Sequence, residues 1–288
     1  MTRIAACVVV AMLCVTALPP PVHAVDWDPK LYAKHSPSQL STALLLLEKM
    51  KLRGDEAILD IGCGDGGITS TIAERVPAGR VVGVDVSRTM IDHARQTYPT
   101  TKYPNLRFQI GDAAHLKFTA QFDLAVSFSA LHWVRDQGAV LRGIREALKP
   151  GGLFAMTMVR GFYAPFEDTT DELIRSDRWG KYLTQYSAGF QFVQRDRYLD
   201  LLKAHGFKPL QVRDISLYLL FESRDSFKTY VAQWYAYKDA IPEDQRDEFL
   251  NDVIDRYLVK QPVDAAGQIL FIVRHLNVAA IKDAGDGK

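Results

Sequence analysis

The stretch ILDIGCGDGGIT, residues 58–69, narrows the fold more than any other part of the chain. A short apolar run that ends in clustered glycines reads as a buried strand turning sharply into a helix. Gly62, Gly64 and Gly67 have the G-x-G-x-x-G spacing of a loop that brings backbone close to a ligand at a helix N-terminus. Such a loop commonly cradles a pyrophosphate, yet Asp60 and Asp65 bring negative charge to this one. Like charges repel, so the spacing asks for a nucleotide-like ligand that has no phosphate and carries positive charge.

The alternation that begins there continues. Ala57 to Ile61 reads as a strand, Gly67 to Val76 as a helix and Arg80 to Val86 as a second strand. Ser87 then caps a helix over Arg88 to Thr97. Strands over Leu106 to Ile110 and Phe122 to Phe128 follow, then a helix over Gln137 to Leu148, the turn Lys149-Pro150-Gly151-Gly152 and a strand over Leu153 to Met158. Short apolar strands alternating with helices predict an α/β fold, a doubly wound, Rossmann-like sheet of seven mostly parallel strands with helices on both faces.

Ahead of this core, Ser36-Pro37-Ser38-Gln39 has the form of a capping box and opens a helix that Gly54 ends. Beyond Arg160 the segment to 195 is rich in aromatic and charged residues without a clear period and is expected to be a cap over the ligand cleft. A helix over Arg195 to His205, strands over Gln211 to Phe221 and Gln268 to Lys282, and helices over Ser226 to Tyr237 and Glu243 to Val259 complete the expectation. The chain thus divides into a covering region at 25–56, a binding core at 57–158, an inserted cap and helix at 159–210, and C-terminal strands and helices at 211–288.

The first residues differ in kind. Met1-Thr2-Arg3 is a short basic start, Ile4 to Leu18 is apolar apart from Thr16, and Val22-His23-Ala24 offers a cleavage site, the three parts of an export signal over residues 1–24. The apolar run is short for a membrane anchor. Export is therefore expected, with a cytoplasmic protein as the alternative if translation starts at Val25. Arg3 is the one charge in that segment, so acidic and basic residues balance beyond it, and no basic excess exists to bind nucleic acid. Of three cysteines only Cys63 lies beyond the signal, and no Cys/His spacing suggests a metal.

In a doubly wound sheet the ligand lies beyond the C-terminal ends of the strands. Asp60, Asp85, Asp112 and Ser127-Phe128-Ser129 fall at four such ends. Asp85 stands where a carboxylate takes ribose hydroxyls, which also suits NAD. Asp60 suits an ammonium group and Asp112 an exocyclic adenine amine. S-adenosylmethionine has all three features and no phosphate.

The motifs DIGCGDG, GVDVS, GDA and ALKPGGLFAMT resemble, in order and spacing, those of class I S-adenosylmethionine-dependent methyltransferases over residues 57–158. Shorter segments, Trp27-Asp28-Pro29-Lys30-Leu31-Tyr32 and Leu131-His132-Trp133-Val134 among them, are similar to small-acid carboxyl methyltransferases of the trans-aconitate and juvenile hormone acid types. The resemblance implies that Asp60, Gly62 and Gly64 face the methionine moiety, Asp85 the ribose, Val86 and Met90 the adenine face, and Asp112 with Ala113 the adenine edge. Ser127 joins this cofactor set. It implies further that Gln39 and Trp133 hold the carboxylate of a small acceptor.

Each has a plainer competitor. Gln39 can complete the capping box, Trp133 and His132 can be core, and Asp112 a turn residue. A carboxylate acceptor arrives ionised and needs no base; an alcohol or amine acceptor makes His132 the first candidate for one. An NAD-dependent oxidoreductase and a non-catalytic S-adenosylmethionine-binding protein remain the alternatives. Phe162, Tyr163, Phe166, Trp179, Tyr182 and Tyr186 hint at an apolar acceptor pocket, with a packed cap as the rival.

Overall fold

The computed structural model describes residues 50–283, together with Ala43 and residues 46–48 of a helix that precedes them. Gln39 and the expected signal at 1–24 lie outside the described residues.

The core is a seven-stranded sheet in the order β3-β2-β1-β4-β5-β7-β6. β1 (Ala57–Ile61), β2 (Arg80–Asp85), β3 (Leu106–Ile110), β4 (Phe122–Phe128) and β5 (Leu148–Phe162) run parallel. β7 (Ile269–Lys282) is antiparallel to both β5 and β6 (Phe207–Phe221). Every residue of β1 is buried, as a central strand covered on both faces requires.

Alternate strand residues serve the two faces. Ile58, Leu124, Val126 and Ala155 pack on one side with α1 (Gly67–Arg75) and α2 (Arg88–Thr97), where Ile72, Ala73, Ile91 and Ala94 are buried. Leu59, Ile61, Ala125 and Met156 pack on the other with α3 (Gln137–Ala147) and α6 (Arg195–Ala204), through Val140, Ile144, Tyr198 and Leu202. Ser87 caps α2 by accepting from the Met90 amide, as expected, and Asp136 caps α3 through the Ala139 amide.

Two strands are longer than their apolar runs suggested. β5 starts at Leu148, which pairs with Phe122 of β4, and continues to Phe162 because its pairing with β7 persists through a bulge between Val159 and Gly161. β6 starts at Phe207 for the same reason. Backbone pairing, rather than apolar content, sets these limits.

The segment from 160 to 195 contains two helices, α4 (Ala164–Arg175) and the short α5 (Gly180–Leu183). They join α7 (Arg224–Trp234), α8 (Arg246–Lys260) and the first half of β7 in one aromatic cluster. Phe271 lies at its centre, 5.1 Å from Phe166, 5.3 Å from Phe227 and 5.9 Å from both Trp234 and Tyr257. Phe271→Ala is expected to lower stability by about 3–5 kcal/mol. On the neighbouring strand Tyr218 is 67% exposed, and Tyr218→Ala should stay within about 0.5 kcal/mol of wild type. Urea denaturation of both variants checks the contrast.

Candidate active site

The glycine loop is pinned by one oxygen. The Val84 carbonyl, one residue short of the end of β2, accepts from both Gly62 N at 2.7 Å and Cys63 N at 3.1 Å. Gly62 has a φ of 76°, and a Cβ there would meet the Ala130 Cβ at 2.2 Å. Gly66, the N-cap of α1, has a φ of 83° and would put a Cβ 2.6 Å from the Phe108 ring. Only glycine fits either place. The G-x-G-x-x-G spacing points to Gly67, which starts α1; the doubled glycine was the available sign that Gly66 is the constrained one.

Asp85 is held from both sides. Its Oδ2 accepts from Gly64 N and its Oδ1 from Ser87 N, each at 2.9 Å. This fixes the carboxylate at the end of β2, beside the loop.

Asp60 is almost fully enclosed at 1% exposure. Its Oδ2 accepts from Thr69 Oγ1 at 2.7 Å, whereas Oδ1 has no partner. Burial, and secondarily the Asp85 carboxylate, raise its pKa to about 7 against the lowering effect of Thr69. Burial also raises Asp65 and Asp85. Among the described residues none of the three forms an ion pair. Burial drives the Cys63 thiol well up, so it is a poor nucleophile and serves as a small residue against Gly83.

The remaining residues read from the sequence are placed less uniformly. Val86 is 58% exposed just past β2, and Met90 is buried. Asp112 caps the turn Ala113–His115: Oδ1 accepts from Ala114 N and Oδ2 meets His115 Nδ1, both at 2.8 Å. Its carboxylate is thus engaged within its own turn, unlike that of Asp60. Ser127 departs from expectation. Its buried hydroxyl donates to the Ile61 carbonyl at 2.7 Å and ties β4 to β1 instead of facing a ligand. Two residues on, Ser129 has a φ of 52°, a strained conformation for a residue with a side chain.

On the far side of that bend, His132 and Trp133 sit in a one-turn helix, Leu131–Trp133. The His132 ring is 5.3 Å from Trp133 and 6.1 Å from Phe190, and Phe190 lies 4.5 Å from Trp133. Burial first, and then His275, lower the His132 pKa to about 3. The imidazole is therefore neutral at physiological pH and too weak a base to draw a proton from an alcohol or amine. Phe190 was not singled out in the sequence. Trp179, which was, packs on Phe249 and donates to Asp252 inside the aromatic cluster.

Three carboxylates, an exposed apolar lip at Val86 and a glycine loop meet beyond the C-terminal ends of β1 and β2, the arrangement of a crevice for a cationic nucleoside. Residues 58–152 match the family described as "Methyltransferase domain". A trans-aconitate 2-methyltransferase of Paracidovorax citrulli is 25% identical over 90% of this chain and 99% of its own. One from Streptomyces coelicolor is 35% identical over 55% of this chain and 54% of its own. The Haemonchus contortus phosphoethanolamine N-methyltransferase 2, solved with S-adenosyl-L-methionine, superposes with a TM-score of 0.57 at 19% identity, over 88% of this chain and 56% of that one.

Fold and domain match agree in supporting a class I S-adenosylmethionine-dependent methyltransferase, with the domain match on residues 58–152. The oxidoreductase alternative is set aside by that match. The residues fit the cofactor on one observation of the structure itself, since the unpartnered Asp60 Oδ1 is an acceptor without a donor beside a loop that phosphate would avoid.

A buried acid with a raised pKa has a definite pH signature. The native chain keeps the Asp60 proton up to about pH 7, while the unfolded chain releases it near the ordinary value of 3.8. Stability from this group is full below the lower value and is lost as pH rises through the upper one. Thermal unfolding without ligand, from pH 5 to 8, should show a midpoint that falls relative to Asp60→Asn as pH increases; parallel profiles would refute the assignment.

Proposed function

We propose that this protein methylates a carboxylate oxygen of a small molecule. The observation that carries the reading is the enclosed, unpartnered oxygen of Asp60 beside Asp85, neither acid forming an ion pair among the described residues. Asp60 receives the ammonium group, Gly62 and Gly64 allow the methionine portion to lie against backbone, and Asp85 takes the ribose hydroxyls with its remaining lone pairs. Val86 and Met90 border the adenine, and Asp112 with Ala113 meets its edge. Gln39 and Trp133 hold the acceptor carboxylate.

S-adenosylmethionine supplies a methyl group already activated by its sulfonium. The protein's own task is then alignment and exclusion of water rather than proton transfer. A buried, neutral His132 agrees with an acceptor that arrives ionised. The trans-aconitate 2-methyltransferases among the relatives support a small carboxylic acid as acceptor.

Thermal-shift titration should show stabilisation by S-adenosylhomocysteine and none by NADH. Asp60→Asn and Asp85→Ala are each expected to weaken S-adenosylhomocysteine about ten- to a hundredfold, the loss of a charge-assisted contact. Binding by wild type should strengthen from pH 6 to 8 as Asp60 ionises, and this dependence should flatten in Asp60→Asn. Methyl transfer to amines or alcohols in preference to a panel of acids would reject the carboxylate reading.

Export through residues 1–24 belongs to the same proposal. Sequencing of the native protein should begin Val25-Asp26-Trp27; an initiator Met at position 1 or 25 rejects export.

A further inference from the structure

Among the described residues, four buried side-chain atoms around the end of β4 have no hydrogen-bond partner: His132 Nδ1, Thr157 Oγ1, Trp234 Nε1 and Asn277 Oδ1. A buried polar atom left unsatisfied is costly, and native structures keep few of them. These four come from separate segments that converge. Thr157 and Asn277 are directly opposite across the β5–β7 pair, so their side chains share one face of the sheet, and His275 lies two residues further along that face. His275 is near enough to His132 to act on its charge. Trp234 stacks on Phe162 at 4.7 Å and lies 6.5 Å from Phe190, which in turn neighbours His132 and Trp133. The Thr157 carbonyl accepts from Ser129 N at 2.7 Å, so this group begins at the bend where the cofactor crevice ends.

We propose that His132, Thr157, Trp234 and Asn277 complete the acceptor site to which Trp133 belongs, and that it is built for a single carboxylate carried on an apolar or aromatic body. The proposal rests on the carboxylate reading above and deepens it. All four groups are uncharged. Trp234 donates through its indole N–H, Thr157 through its hydroxyl and neutral His132 through whichever ring nitrogen holds the proton; the Asn277 amide presents a donor when turned about its last bond.

The cations nearest in sequence on these strands are already committed. Arg160 pairs with Asp214 at 2.6 Å and Arg274 with Glu167 at 2.6 Å. Each is charge-paired although its buried Nε makes no hydrogen bond, so among the described residues of β5 and β7 neither stands as an unpaired cation for a second or third acidic group. Neutral donors suit a carboxylate that becomes an ester, because no unpaired buried cation remains when the charge is lost. Phe162, Phe190 and Phe192 supply the apolar surroundings, with ring centroids 5.3 to 6.3 Å apart.

The test uses the full chain with methyl-labelled S-adenosylmethionine and two sets of acids, aryl and alkyl monocarboxylates against trans-aconitate and citrate. Monocarboxylates should be favoured at least about tenfold in kcat/KM. Thr157→Val and Trp234→Phe should raise KM for the acid about tenfold while leaving the Kd for S-adenosylhomocysteine unchanged, which also shows that both variants fold. A tricarboxylate preferred over every monocarboxylate overturns the inference and leaves the carboxylate reading standing. Transfer to no acid overturns both. An unmoved KM in both variants means that these atoms meet only water, and overturns the site.

Discussion

The burial of Asp60 with no cation beside it among the described residues is the constraint on which the site turns. Its carboxyl stands at the end of a strand enclosed on both faces, within about 1% of complete burial. In such surroundings the ionised form is disfavoured, and Thr69, from the first turn of α1, satisfies only one of the two oxygens. The N-terminus of α1 adds a favourable partial positive charge, too small to stand in for a cation. The empty half of that carboxyl is therefore an interaction held in reserve, and a proton occupies it when no cationic guest does. Val84 makes this arrangement possible. By accepting from two successive loop amides it turns the chain tightly enough for Gly64 to reach Asp85, so one carbonyl sets the spacing of both carboxylates.

The second half of the site depends on strands that belong to two packing environments. β5 and β7 begin their pairing inside the sheet core, where Phe154, Ala155 and Met156 lie against Val278 to Ala280, and finish it in the aromatic cluster, where Phe162 meets Val273. Thr157 and Asn277 sit at the changeover. An apolar pair there would continue the core without interruption. A polar pair keeps an unsatisfied edge between the sheet and the aromatic layer, next to the strained Ser129 bend. Substrate contacts placed at such a seam can be exchanged without disturbing either core, which is one physical reason a fold of this kind accommodates many acceptors.

The sheet was legible because its first five strands are short apolar runs separated by turn residues, and period and punctuation agree at every one. β5 and β6 overran their apolar runs because pairing sets their limits: Leu148 pairs with Phe122 of β4, β7 carries β5 past the bulge at Arg160 to Phe162, and β7 also pairs with Lys208 at the start of β6. The helix over Ala164–Arg175 was missed although Phe166, Thr169 and Leu173 recur on one face, since the aromatics around it obscured the period. Around the glycine loop, the strand-end positions of Asp60 and Asp85 were readable because the apolar runs of β1 and β2 stop there. Ser127 was not: alternation decides which face a strand residue serves, and its hydroxyl found the Ile61 carbonyl next door. Phe190, Trp234 and Asn277 arrive from distant parts of the chain, and no local pattern announces such a meeting.

The two ends of the proposed site differ in charge, and that difference sets the direction of binding. Asp60 and Asp85 stand on the β1 and β2 side, whereas His132, Thr157, Trp234 and Asn277 on the β4, β5 and β7 side carry no charge. On the carboxylate reading proposed above, an acidic acceptor finds carboxyl groups on the first side and hydrogen-bond donors on the second, so the donors set its orientation. A cation among the four would bind the acid more tightly, but it would be stranded once the acid became a neutral ester. In the proposed site, keeping His132 neutral by burial avoids that penalty, because neutral donors leave no charge stranded when the acid becomes an ester.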